Sequence, residues 1–189
     1  MNKSVSSEEY EVHVCVLRNT RAFKERGLFV FHEGTSSERL KLLEQLTITD
    51  KRQKRQAQLD VLDAICSSFP AGIGKATAQD FVAKNEAGGV LEPKFPFAES
   101  QIALPEGEKE VLWGKGREES GWDVFYQKYP NAPGYFSFSR VGFNSNHTEA
   151  LVEVSFTSGR YRGRGMLIQL RKGTDGKWAP HKDRLLWAS

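Results

Sequence analysis

Glu149-Ala150-Leu151-Val152-Glu153-Val154-Ser155-Phe156-Thr157 is the stretch from which the fold is read. Leu151, Val152, Val154 and Phe156 supply apolar, β-branched and aromatic side chains over a run of strand length. Ser158-Gly159 follows at once, so the segment reads as a strand ending in a turn. Two more strands are expected after it, over about residues 165–171 and 178–188, parted by Thr174-Asp175-Gly176, whose Asp-Gly pair suits a hairpin. One is expected before it, over about 134–144, leading into Asn144-Ser145-Asn146. The last third of the chain thus predicts a β-meander, preceded by a helical turn or two over about 122–129 that Pro130 stops.

Upstream the pattern changes to helix. Ser6-Ser7-Glu8-Glu9 places Ser three residues before Glu, a capping box in which the Ser oxygen accepts an early helical N–H and the Glu reaches back to the cap. It predicts a helix over about 7–24. Tyr10, Val12, Val14 and Val16 alternate with polar residues and argue for a strand instead; the cap favours the helix. A short strand is expected over 27–32. Leu40, Leu43 and Leu46 stand at helical spacing. Asp50 is a plausible N-cap for a helix over about 51–68, with Leu59, Leu62 and Ile65 as its apolar stripe. A further helix is expected over 77–85, stopped by Gly88-Gly89, and a strand over 108–113 within long connections. Helices first and strands last favour α+β over doubly wound α/β. The expectation is a single α+β domain over 1–189, with three or four N-terminal helices packed on one face of a mostly antiparallel sheet. The segment from Gly121 onward is expected to supply most of the core, with Trp122, Phe125, Val141, Phe143, Leu151, Val154, Leu167, Leu170 and Trp187 largely buried. No internal repeat and no domain boundary is evident, and the closing hairpins look like the end of a cystatin-like or NTF2-like cone.

The chain has 189 residues, 39% apolar and 27% charged, ordinary values for a soluble globular domain with a real core. A net charge of +3 does not force a polyanionic partner. No window approaches the ~18 apolar residues of a membrane span. Met1-Asn2-Lys3-Ser4-Val5-Ser6-Ser7 lacks the apolar region of a secretion signal, so a soluble, cytoplasmic protein is expected as the chain stands. Export stays open if a signal was removed. Cys15 and Cys66 allow one disulfide at most, and two buried free thiols are the simpler expectation.

Trp122-Asp123-x-Phe125-Tyr126-x-Lys128-Tyr129-Pro130, followed by Ser139-Arg140-Val141-Gly142-Phe143-Asn144, resembles a family of bacterial proteins of uncharacterised activity, many of them exported. The likeness continues through Ala150-Leu151-Val152, Gly173 to Lys177-Trp178 and Trp187-x-Ser189. It covers roughly the last 70 residues well and the rest loosely, points the same way on the first helix, and implies no reaction. Many relatives carry a Cys-Gly-x-Leu-Cys-Gly hairpin where this chain reads Ser158-Gly159-Arg160-Tyr161-Arg162-Gly163. A disulfide or metal clip there is impossible in this chain, which fits a reducing compartment.

Motifs with chemical meaning mostly fail. His32-Glu33-Gly34-Thr35-Ser36 opens like a zinc-protease helix, but Ser36 stands where the second His belongs. A polar site at the end of a buried strand remains, with His32 as acid or base and Glu33 beside it; a surface His at a turn is the plainer reading. Gly72-Ile73-Gly74-Lys75 lacks the phosphate-loop pattern, since Phe69 and Ala76 stand where Gly and Ser or Thr are required. No metal-ligand spacing, nucleophile elbow or activated cysteine appears, so neither metal nor cofactor is expected. Lys51-Arg52-Gln53-Lys54-Arg55 and Arg160-Tyr161-Arg162-Gly163-Arg164-Gly165 are basic clusters that could grip phosphates, with Tyr161 to stack on a base, or simply stay solvated.

Three functions remain. The first is a non-catalytic small-molecule or protein binding module, favoured because no catalytic constellation survives. The second is a small enzyme of hydrolase or lyase type with its site in the sheet concavity, using His32, Glu33, Tyr126 and Arg140. The third, not favoured, is phosphate or nucleic-acid binding through Lys51, Arg52, Lys54, Arg55, Arg160, Tyr161, Arg162 and Arg164.

Overall fold

The computed structural model describes residues 4–20, 28–37, 40, 50–69, 72–97, 100–114 and 120–189. Among them the elements in chain order are α1 (Ser7–Arg18), β1 (Leu28–His32), α2 (Lys51–Ser67), α3 (Lys75–Ala87), β2 (Ser100–Leu104), α4 (Glu106–Trp113), α5 (Ser120–Lys128), β3 (Tyr135–Phe138), β4 (Gly142–Phe143), β5 (Glu149–Thr157), β6 (Gly163–Lys172) and β7 (Trp178–Ala188). The fold class is α+β, as expected.

One sheet orders the strands β2-β1-β3-β5-β6-β7, with β4 paired to β5 off that path. The C-terminal meander is antiparallel: Glu149 to Thr157 pair with Arg171 to Gly163, and β6 pairs in turn with β7. The far side is not. β1 runs parallel to both β2 and β3, with Phe31 opposite Ala103 on one side and Phe136 on the other.

Helices cover both faces, not one. Successive strand residues point to opposite faces. Phe29 and Phe31 of β1, Val152 and Val154 of β5 and Ile168 and Leu170 of β6 pack with Val12, Val16 and Leu17 of α1. Their neighbours point the other way. Leu151 and Leu167 pack with Ile65 of α2 and Phe81 of α3. Val30 packs with Leu112 of α4 and Phe125 of α5. The core is accordingly shared along the chain rather than concentrated after Gly121; Leu17, Phe31, Ile65, Phe81, Leu91 and Leu104 are as buried as Phe125 and Leu167. Trp122 and Trp187 are partly buried, and the other expected core residues are buried.

The competition over α1 is settled by its cap and its burial. Glu9 N–H donates to Ser6 Oγ at 3.3 Å and Ser6 N–H to Glu9 Oε2 at 2.9 Å. Glu9, Val12, His13, Val16 and Leu17 then bury a helical stripe. The helix is described to Arg18; residues 21–27, into which its expected end falls, lie outside the described residues, as do 41–49 with Leu43 and Leu46. Asp50 caps α2 as expected, its Oδ1 accepting from the Arg52 and Gln53 N–H groups. α3 extends the expected helix slightly at both ends.

Two expectations fail. Residues 108–113 are helix, not strand, and the strand of that region is β2 just before it. The strand expected over 134–144 is broken at Ser139-Arg140-Val141. There Arg140 turns inward, its Nε and Nη2 donating to Glu9 Oε1 at 2.8 Å and Oε2 at 2.9 Å. Its Nη1 donates to Gly88 O at 3.0 Å and its backbone N–H to Asn85 Oδ1 at 2.8 Å. A buried charge is tolerable only with such complete pairing. This cluster binds α1, α3 and the β3–β4 link together.

Candidate functional site

Of the four candidate catalytic residues, His32, Tyr126 and Arg140 each engage a different partner and Glu33 takes part through its backbone. His32 closes β1, buried, with Nδ1 3.0 Å from Gly34 O. A carbonyl only accepts, so Nδ1 carries the proton. Nε2 stands 3.3 Å from Oε2 of the exposed Glu106, close enough for an ion pair but without hydrogen-bond alignment. Glu33 contributes backbone: its N–H donates to Leu104 O, and its carbonyl accepts from Leu91 N–H. Tyr126 donates its hydroxyl to Ser158 O at 2.8 Å, which ties α5 to the β5–β6 turn; burial pushes its pKa up against the opposing charge of Arg162. Arg140 is taken up by Glu9. Burial works against the Glu9 carboxylate, yet its hydrogen bonds from Arg140, Ser6 and Val141 hold its pKa down to about 2.

The basic clusters are partly a structural matter. Arg160, Tyr161 and Arg162 are exposed at the β5–β6 turn, and the Arg160 guanidinium lies 5.0 Å over the Tyr161 ring. The glycines between the arginines have another reason. A Cβ on Gly165 would lie 2.2 Å from the Trp187 indole nitrogen, and one on Gly163 2.6 Å from the same ring. The Arg-Gly-Arg-Gly run is therefore the seat of a tryptophan from β7. Arg52 and Arg55 are exposed on the first turns of α2; the side chains of Lys51 and Lys54 lie outside the described residues.

Arg164, grouped in sequence with that turn, belongs to a different place. On the α1 face the helix ends with Asn19 Nδ2 donating to Cys15 O and Thr20 Oγ1 to Val16 O. Beyond that end a cavity of about 590 Å³ opens over the sheet. Its apolar lining is Phe136 of β3, Val154 and Phe156 of β5, and Met166 and Ile168 of β6; Asn19, Thr20, Ser155, Arg164 and Asp183 are its polar lining. The alternation in β5 signals an apolar face, but nothing local signals that a cavity lies over it.

A wider groove of about 770 Å³ follows the outer side of α1, between Tyr10, Val14 and Cys15, the turn before Trp178, and Lys94. Cys15 Sγ donates to Trp178 O at 3.1 Å, and burial pushes its pKa up, so this thiol is not activated. Cys66, also pushed up by burial, packs with the α2–α3 cluster on the other face, so the sheet stands between the two free thiols. Among the described residues no group of three His, Cys, Asp or Glu is placed to hold a metal ion, and no helix is long and apolar enough to cross a membrane.

No protein-family model matches the chain, and no curated protein or solved structure matches it.

Proposed function

We propose that this protein is a non-catalytic binding module that takes a small, largely apolar molecule into the cavity on the α1 face of the sheet. The cavity carries the reading. Its volume of about 590 Å³ falls within the ~300–1,000 Å³ of small-molecule sites. Five apolar side chains from three strands make its floor and few polar groups flank it, the usual chemistry of such sites. His32, Tyr126 and Arg140 are each held by a separate partner, which favours binding over catalysis.

Met166 is half-buried on this floor, so a larger ring there enters the cavity rather than the packed core. Titration with the neutral fluorophore N-phenyl-1-naphthylamine should give saturable enhancement in the wild type. Met166→Trp should abolish it while the far-ultraviolet circular dichroism stays unchanged. Absent or non-saturable binding in the wild type, or equal binding by a folded Met166→Trp, contradicts the reading.

A further inference from the structure

We infer that the ligand of this cavity is an aliphatic or aromatic carboxylate, and that Arg164 receives its anionic end; the inference rests on the binding reading above. Arg164 lies near the start of β6, two residues before Met166, and its side chain reaches the cavity wall. Its hydrogen bond is from Nε to Met166 Sδ at 3.2 Å. A thioether is a weak acceptor, and a guanidinium carries five donors in a planar fork, so the geometry that grips a carboxylate with two parallel bonds is still on offer.

The other polar groups at the cavity sharpen the choice. The Asn19 amide and the Thr20 hydroxyl donate to carbonyls of the last turn of α1. Asp183 is the Cα partner of Ile168, four residues further along β6 than Arg164. At ~3.3 Å per residue that is an offset of about 13 Å along the strand. Among the described residues the cavity is therefore polarised: cationic at the Arg164 end, anionic at the Asp183 end, and apolar between apart from Ser155. Arg184, the next residue on β7, donates to Ser68 O after α2, on the opposite face, and does not offset Asp183. A carboxylate is drawn to the first end and repelled from the second, which orients its apolar body along the floor. An amine of the same shape would have to reverse, and an alcohol would gain neither effect.

The test is isothermal titration of the wild type, Arg164→Gln and Arg164→Lys with decanoate, decylamine and decanol. Decanoate should bind the wild type about fivefold more tightly than decanol, the scale of a solvent-accessible ion pair. Arg164→Gln should erase that preference, decanoate and decanol binding this variant equally, and Arg164→Lys should restore part of it. Equal decanoate and decanol affinity in the wild type, or a preference that survives Arg164→Gln, overturns the role of Arg164 and leaves the cavity reading standing. If none of the three binds and the neutral fluorophore also fails, the cavity reading falls and takes this inference with it.

Discussion

His13 shows how far one residue's chemistry is set by contacts that are remote in sequence. Its Nε2 lies 3.0 Å from Ser139 O, which can only accept, so Nε2 carries the hydrogen and Nδ1 keeps a buried lone pair without a partner. Burial lowers its pKa to about 4, against the opposing pull of the Ser139 hydrogen bond and the Glu9 charge. In the unfolded chain the imidazole takes a proton near pH 6.5; in the folded protein it does not until about pH 4. This contribution is complete above pH 6.5 and is lost as pH falls toward 4, to the extent of about 3 kcal/mol. Urea unfolding at pH 7 and pH 4 should show that loss in the wild type and a smaller one in His13→Gln, whose amide can still donate to Ser139 O. Equal losses would contradict the assignment. Glu9 acts in a lower window, its contribution present above pH 4.5 and lost as pH falls toward 2. The Ser6–Glu9 cap was legible because its members are three residues apart; Glu9 with Arg140 and His13 with Ser139 were not, because folding brings them together from opposite ends of the chain.

Among the elements, α4 is the instructive failure. Glu108 to Trp113 is short, and a run of that length in a Gly- and Pro-rich region reads as easily as strand. Pro105 precedes the helix, and Glu106 and Glu108 in its first turn complement the helix dipole, a local signal for helix. What holds this short helix is its neighbour. Trp113 packs at 5.1 Å from Trp122 and 5.0 Å from Tyr135. Gly121 lets α5 come this close: a Cβ there would stand 2.0 Å from Leu112 O and 2.8 Å from Trp113 Cδ1. Gly121→Ala should force the helices apart, cost about 1–3 kcal/mol as overpacking does, and shift the tryptophan emission. Unchanged stability and emission would mean that the α4–α5 contact is looser than described. The other elements were legible where local chemistry dominates. β5 and β7 run as their patterns predict, whereas β3 and β4 part because Arg140 turns inward.

For the whole molecule, the α+β class followed from the order of patterns, helices before strands. The distribution of helices over two faces did not, because which strand residues face α1 depends on the parallel pairing of β1 with β2 and β3, and no turn announces that pairing. The same arrangement makes the cavity: among the described residues α1 and the segment with Leu91, Phe95 and Phe97 pack on this face, and the cavity lies past Thr20 over side chains of β3, β5 and β6. Arg164 was visible in sequence as one of a basic run, but its place beside Phe136, Met166 and Ile168 is a product of the sheet register. The chain holds two methionines, Met1 and Met166, so labelling the methionine methyl groups with carbon-13 gives a two-signal spectrum with one reporter on the cavity floor. Decanoate added to the labelled protein should shift the Met166 methyl signal in a saturable way. Saturable binding by calorimetry with an unmoved Met166 signal would put the ligand elsewhere and contradict the account.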